Sequence, residues 1–176
     1  MICWDRFGEE FIGVFDEYEV EVLRGYAEAL LELLDHRAGS YTSMMLGEQV
    51  VQLPGAATTD NRLIAILRER LGTSEPSWML AWSEARCLAE VREAVTHVLS
   101  TLPSRGGRVR LAGRADAVIW LQVTKLYIAA LTAKTDHAGV TFGRDVEPTT
   151  AWLESIAVGL AEAVRTDSAG TVDNGR

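Results

Sequence analysis

Between two long helix-patterned segments the chain reads LPSRGGRVRL, Leu102 to Leu111, and no other stretch restricts the possible folds as tightly. Pro103 lacks a backbone donor and stops the helix that precedes it, and Gly106 and Gly107 turn the chain. Arg108, Val109, Arg110 and Leu111 then alternate polar and apolar side chains, the two-residue period of a strand with one wet face. Any fold for this chain must therefore bring a helix in, turn, run a short strand, and leave through the apolar segment that carries Trp120.

A chain of 176 residues buries about 70% of its unfolded surface as one domain, without a metal or disulfide staple. No apolar run approaches the roughly 20 residues that cross a bilayer. The opening residues, MICWDRFGEE, lack the basic start and continuous apolar core of a signal peptide, so the expected location is the cytoplasm. Acidic residues outnumber basic ones 25 to 17, for a formal net charge of −8, and this field repels phosphate backbones and disfavours direct DNA binding. Arginine nevertheless clusters at Arg105, Arg108, Arg110 and Arg114, a candidate surface for an anion or an acidic partner. A solvated turn and strand face is the plainer reading of the same residues.

Along the chain, Phe11 to Phe15 reads as a short strand interrupted by Gly13, and Asp16-Glu17 starts a helix. From Glu17 to His36 the residues Val20, Leu23, Ala27, Leu30, Leu31 and Leu34 recur at three- and four-residue steps and make one buried stripe. Ala38 to Asp60 reads as a long connection with a weakly helical piece, Tyr41 to Leu53. Asp60 caps a helix over Asn61 to Leu71, closed by Gly72. Ser74-Glu75-Pro76 opens a helix that runs to about Leu102, with Trp78 and Trp82 one turn apart. Arg114 to Thr135 is apolar on most of its circumference, which places it at a bundle centre or across a subunit interface. The last helix spans Thr149 to Arg165.

The expected fold is mainly α: a single-domain helical bundle of five or six helices over residues 1–166, with a minor two-stranded β element pairing Phe11–Phe15 with Arg108–Leu111. Residues 167–176 read as a disordered tail. The apolar helix and the five tryptophans suggest a homodimer, with Trp78, Trp82, Trp120 and Tyr127 as interface candidates.

Motifs for catalysis are missing: no GxxxxGK[ST], GxGxxG, HExxH or GxSxG occurs. His36, His97 and His137 fall in different segments, and none has a carboxylate or cysteine at metal-ligand spacing beyond chance. Asp136-His137 is the nearest approach to an acid–base pair and reads as a helix-end loop. The expectation is a protein that is not an enzyme and carries no metal or cofactor. The cysteines, Cys3 and Cys87, are too far apart in sequence for a CxxC site. Cys87 lies beside the apolar stripe of its helix and reads as a small hydrophobe, whereas Cys3, beside Trp4 and Arg6, is the better redox candidate.

The order of landmarks along the whole chain resembles the AosR-type actinomycete oxidative-stress regulators. Those landmarks are Trp4, the helix from Glu17 to Leu34, Leu102-Pro103, Gly106-Gly107-Arg108-Val109, Leu111, Trp120-Leu121 and Trp152-Leu153. The resemblance implies a cytoplasmic, redox-responsive transcription regulator that works with a stress sigma factor. The chain departs from that pattern at Thr124-Lys125-Leu126-Tyr127, where the family has Asn-Asp-Leu-Arg, and it has Cys3 alone where redox-responsive members have clustered cysteines. The implied function is regulation through protein contacts with a sigma factor or RNA polymerase. The alternative is a helical adaptor or structural dimerisation module without a promoter role.

Overall fold

The computed structural model describes residues 4–46, 49–72, 77–133 and 146–169. In chain order the elements are β1 (Trp4–Phe7), β2 (Glu10–Phe15), α1 (Glu17–Ala38), β3 (Tyr41–Leu46), β4 (Gln49–Pro54), α2 (Asn61–Leu71), α3 (Ser77–Thr101), β5 (Gly107–Leu111), α4 (Arg114–Thr132) and α5 (Val146–Ala169). The strands form two antiparallel sheets, one of three strands in the order β1-β2-β5 and one of two, β3-β4.

This is an α/β fold, and it corrects the expectation of a helical bundle with a minor two-stranded element. The expected pairing of β2 with β5 is present, from Phe11 opposite Leu111 to Phe15 opposite Gly107. What the helical reading lacked is β1, which pairs with β2 from Trp4 opposite Gly13 to Phe7 opposite Glu10, and the whole hairpin β3–β4. Tyr41 to Leu53 had seemed weakly helical because methionine and leucine are good helix formers. Pairing across the hairpin overrides that local preference. The tail from residue 170 onward lies outside the described residues, and α5 extends three residues past Thr166.

Helix boundaries follow the local chemistry. Asp16 accepts from the Glu19 backbone at 2.8 Å while the Glu19 carboxylate accepts from the Asp16 backbone at 2.9 Å, a reciprocal cap that satisfies two otherwise orphaned donors. Asp60 caps α2 through its side chain, accepting from the Arg62 backbone at 2.9 Å. Its carboxyl is held below the usual range by the Arg62 guanidinium.

The core lies where the three-stranded sheet meets the helices. Trp4, Phe11, Phe15, Val109 and Leu111 point inward from the sheet and are buried, as are Trp120, Val123, Leu126 and Tyr127 of α4. Trp4, Phe15 and Trp120 form a mutual cluster with ring centroids 5.7–6.1 Å apart, and edge contacts of this kind add to the gain from burial alone. The Trp120 indole donates to Thr101 Oγ1 at 2.9 Å, which ties α4 to the end of α3. Two glycines are required by close approach. A Cβ on Gly13 would stand 2.9 Å from both Phe15 Cε2 and Trp4 Cζ3, and one on Gly106 would stand 2.5 Å from the Glu17 backbone nitrogen.

Gly13→Ala therefore overpacks the aromatic cluster and is expected to destabilise the fold by about 1–3 kcal/mol. Gly25, mid-way along α1 with open space at its Cβ, is the matched control: Gly25→Ala should stabilise by about 0.5–1 kcal/mol. Urea midpoints of the two variants check the pair, and equal shifts would contradict it.

Candidate functional site

The outward side of the three-stranded sheet is the part of the molecule best arranged to meet something else. On β5 the period of two buries Val109 and Leu111 and leaves Arg108 and Arg110 exposed. The same period on β2 buries Phe11, Gly13 and Phe15 and turns Ile12 and Val14 outward. Register sets Asp5, Ile12 and Arg110 in one row across the sheet and Val14 beside Arg108 in another. Phe7 is 64% exposed and Val14 58%. The face thus carries an apolar strip with two guanidinium groups along β5 and carboxylates, Asp5 and Glu10, on the side of β1 and β2. Neither Arg108 nor Arg110 has an ion-pair partner among the described residues.

Of the four clustered arginines, register unites only Arg108 and Arg110. Arg105 sits in the turn before β5, 4.0 Å from Glu17 with both side chains strongly exposed, and a contact of that kind contributes little. Arg114 opens α4. Sequence reasoning found the two arginines but not their apolar neighbours Phe7, Ile12 and Val14. The signal was present in EFIGVF, where Gly13 reads as an interruption although it is one of the inward positions.

The other candidates separate into core and undescribed residues. Trp120 and Tyr127 are 1% and 3% exposed, so both belong to the core of this chain and offer no interface. Most of the apolar circumference of α4 is covered inside the molecule, by α5, α2, α3 and β5 packed around it, and Val118 stays 37% exposed. In the stretch that departs from the regulator pattern, Thr124, Leu126 and Tyr127 are buried and Lys125 is exposed; Thr124 Oγ1 donates back to the Trp120 carbonyl at 2.8 Å. Trp78 and Trp82 fall within α3, but their side chains are not among those described, and Cys3, Asp136 and His137 lie outside the described residues. Cys87 is buried, and that burial pushes its thiol up to about 11.

Two polar clusters were not foreseen. His97 Nε2 lies 3.2 Å from Asp116 Oδ1 but is not aligned as a hydrogen bond, and the other Asp116 oxygen accepts from the Ala112 backbone at the start of α4. The pair clamps α3 to α4, and Asp116 is occupied as a cap. Arg37 Nε donates to Glu84 Oε1 at 2.6 Å with both side chains nearly buried, and the Tyr41 hydroxyl donates to the same oxygen at 3.1 Å. Burial, and then the Glu84 charge, hold the Tyr41 phenol well above its ordinary range. This cluster joins the base of the β3–β4 hairpin to α1 and α3.

The concavities differ in size, and one of about 400 Å³ lies between the start of α1 and α5, lined by Asp16, Tyr18, Glu19 and Trp152. The cleft among α1, α2 and α4, beside Tyr26, Arg62 and Tyr127, holds about 30 Å³, far below the several hundred of a ligand pocket. A larger one of about 220 Å³ gathers Glu69, Arg70, Glu90 and Lys125, where Arg70 is already paired with Glu90 at 3.2 Å. Among the described residues no group of three His, Cys, Asp or Glu side chains is placed to hold a metal, and no helix is long and apolar enough to cross a membrane.

At pH 8 a thiol titrating near 11 is about one part in a thousand thiolate, against roughly a quarter for a free cysteine. In a Cys3→Ser background, iodoacetamide is expected to modify Cys87 at least about a hundredfold more slowly in the folded protein than in urea. Because the folded thiol titrates above the unfolded one, the stability this adds is complete below the unfolded value and is lost as pH rises toward 11. Equal modification rates would count against a buried Cys87. The Tyr127 hydroxyl is buried with no hydrogen-bond partner among the described residues, so Tyr127→Phe should be neutral or stabilising, within about 1 kcal/mol, in thermal melts.

No curated protein matches the chain, and no solved structure does. One family model matches residues 1–126, that of the Domain of unknown function (DUF2017). The match takes in both sheets, α1, α2, α3 and most of α4, and with it the whole Arg108–Arg110 face. The chain belongs to the DUF2017 family.

Proposed function

We propose that this chain is a non-enzymatic, transcription-associated regulator of the cytoplasm that acts by protein contacts, docking a sigma factor or RNA polymerase on the outer face of its three-stranded sheet. The observation that carries the reading is the open strip of Phe7, Ile12 and Val14 bordered by Arg108 and Arg110. Apolar area flanked by guanidinium groups that have no ion-pair partner among the described residues suits an acidic, amphipathic protein segment, since arginine anchors and exposed apolar side chains are enriched at protein interfaces. The net charge of −8 fits a protein partner better than a nucleic acid, because two arginines on a face that also holds Asp5 and Glu10 do not make a phosphate-binding groove. The likeness to the actinomycete regulators supplies the class of partner. A thiol response, if this member has one, falls to Cys3, because Cys87 is buried.

Binding of the purified chain to an actinomycete RNA polymerase, with and without its stress sigma factor, tests the reading. Arg108→Glu combined with Arg110→Glu should weaken capture by at least about tenfold, with a salt dependence that the wild type shows and the variant loses. Two results overturn it: a shift of promoter DNA by the chain alone at physiological salt, or capture that is unchanged in the double variant. Recovery of partners with no link to transcription would favour the adaptor reading.

A further inference from the structure

We infer that the β3–β4 hairpin is a self-association arm, whose outer strand β3 pairs with the β3 of a second copy to make a four-stranded antiparallel sheet across a two-fold axis. The starting point is an imbalance in the hairpin itself. Met45 and Val50 are partners on one side and are each 65% exposed, while Met44, opposite Val51, is 46% exposed on the other. A two-stranded hairpin alone is marginal in water and needs a helix or further strands to hold it; here α3 supports β4, while the apolar side chains of the outer half, Met44, Met45 and Val50, are left without cover.

The base of the hairpin is nonetheless held firmly. Arg37 reaches both Glu84 and the Ala56 carbonyl, at 2.6 and 2.8 Å, the Gly55 backbone donates to the Ser40 carbonyl at 3.2 Å, and Tyr41 packs under the Arg37 guanidinium at 5.6 Å. A buried ion pair of this kind sets geometry more reliably than it adds stability. The hairpin is therefore presented in a fixed direction. Its inner strand β4 lies against α3, which leaves β3 as the outer strand.

The character of that strand selects the occupant. Natural edge strands are protected by lysine, proline or a bulge, and YTSMML has none of these. From Tyr41 to Pro54 the only charged residue is Glu48. Strand β3 itself carries no charge, so it meets a second copy of a chain of net charge −8 without adding repulsion at the seam, whereas a foreign acidic or basic partner finds no complementary charge on it. A second copy supplies a strand of the same length, pattern and neutrality. Antiparallel pairing of identical strands is what a two-fold axis generates.

This inference uses none of the residues of the Arg108–Arg110 face, so either can fail without the other. Light scattering on the full chain, from one to several hundred micromolar, should show a dimer. The variant with Met44→Glu and Met45→Glu, one charge on each face of β3, should dissociate at least about tenfold more readily, and Val158→Glu, on an exposed site of α5, should not. Wild type that stays monomeric across the range, or a double variant that remains as dimeric as wild type, overturns the proposal. Should the double variant fail to fold, hydrogen exchange on wild type decides: β3 amides are expected to lose protection on dilution while α1 amides keep theirs, and concentration-independent β3 exchange also overturns it.

Discussion

The contact of Trp120 with Trp4 and Phe15 across Gly13 is what seats α4 on the three-stranded sheet. A helix as apolar as α4 needs cover on several sides, and on one of those sides the cover is a sheet rather than another helix. That sheet can approach only because position 13 has no side chain, so two indoles and a phenyl ring fill the space over the middle strand. The thickness of the layer is set by aromatic rings and the register by their edge contacts. Everything that faces outward on the sheet, including Arg108 and Arg110, is aimed by what its neighbours do inside.

Where residues signal their neighbours locally, the sequence was readable. Asp16 with Glu19, and Asp60 before α2, announce helix starts by chemistry confined to one turn. The alternation from Arg108 to Leu111 announces a strand with a wet face. Its partner strand was also legible, because Phe11 and Phe15 are large and two positions either side of Gly13. The hairpin was not, for a physical reason: alternation appears only when one face is buried and the other wet, and here both faces of the outer half are exposed. The two residues between the strands, Gly47 and Glu48, were the one remaining hint, since a two-residue link beginning with glycine is a common hairpin connection.

The candidate site was half legible for a related reason. Charge can be read from single letters, so Arg108 and Arg110 stood out. The apolar strip beside them is assembled from β1 and β2, roughly a hundred residues earlier, and becomes a surface only through strand register. Composition likewise leaves α4 open between an interior helix and an intersubunit one. Tertiary context decides between them: α2, α3, α5 and β5 surround it, and Trp120 and Tyr127 are consumed in that arrangement.

Helix α1 ties these features into one design. Asp16 alone separates its first residue from β2, and there the Asp16–Glu19 cap and the close approach of Gly106 set the helix start against the three-stranded sheet. Its last turn carries Arg37, which grips Glu84 and the base of the hairpin. A helix of 22 residues rises about 33 Å at 1.5 Å per residue, so the arginine-bordered face and the uncharged hairpin lie at opposite ends of a rigid rod. Their chemistries are also separated: guanidinium groups beside apolar side chains at one end, and at the other two strands without a charged residue. Two copies joined through the hairpins would thus hold their sheet faces well apart, each free to meet a partner. Such spacing allows the pair to engage two sites on one large assembly, and binding would then be strengthened by the linkage rather than by any added contact.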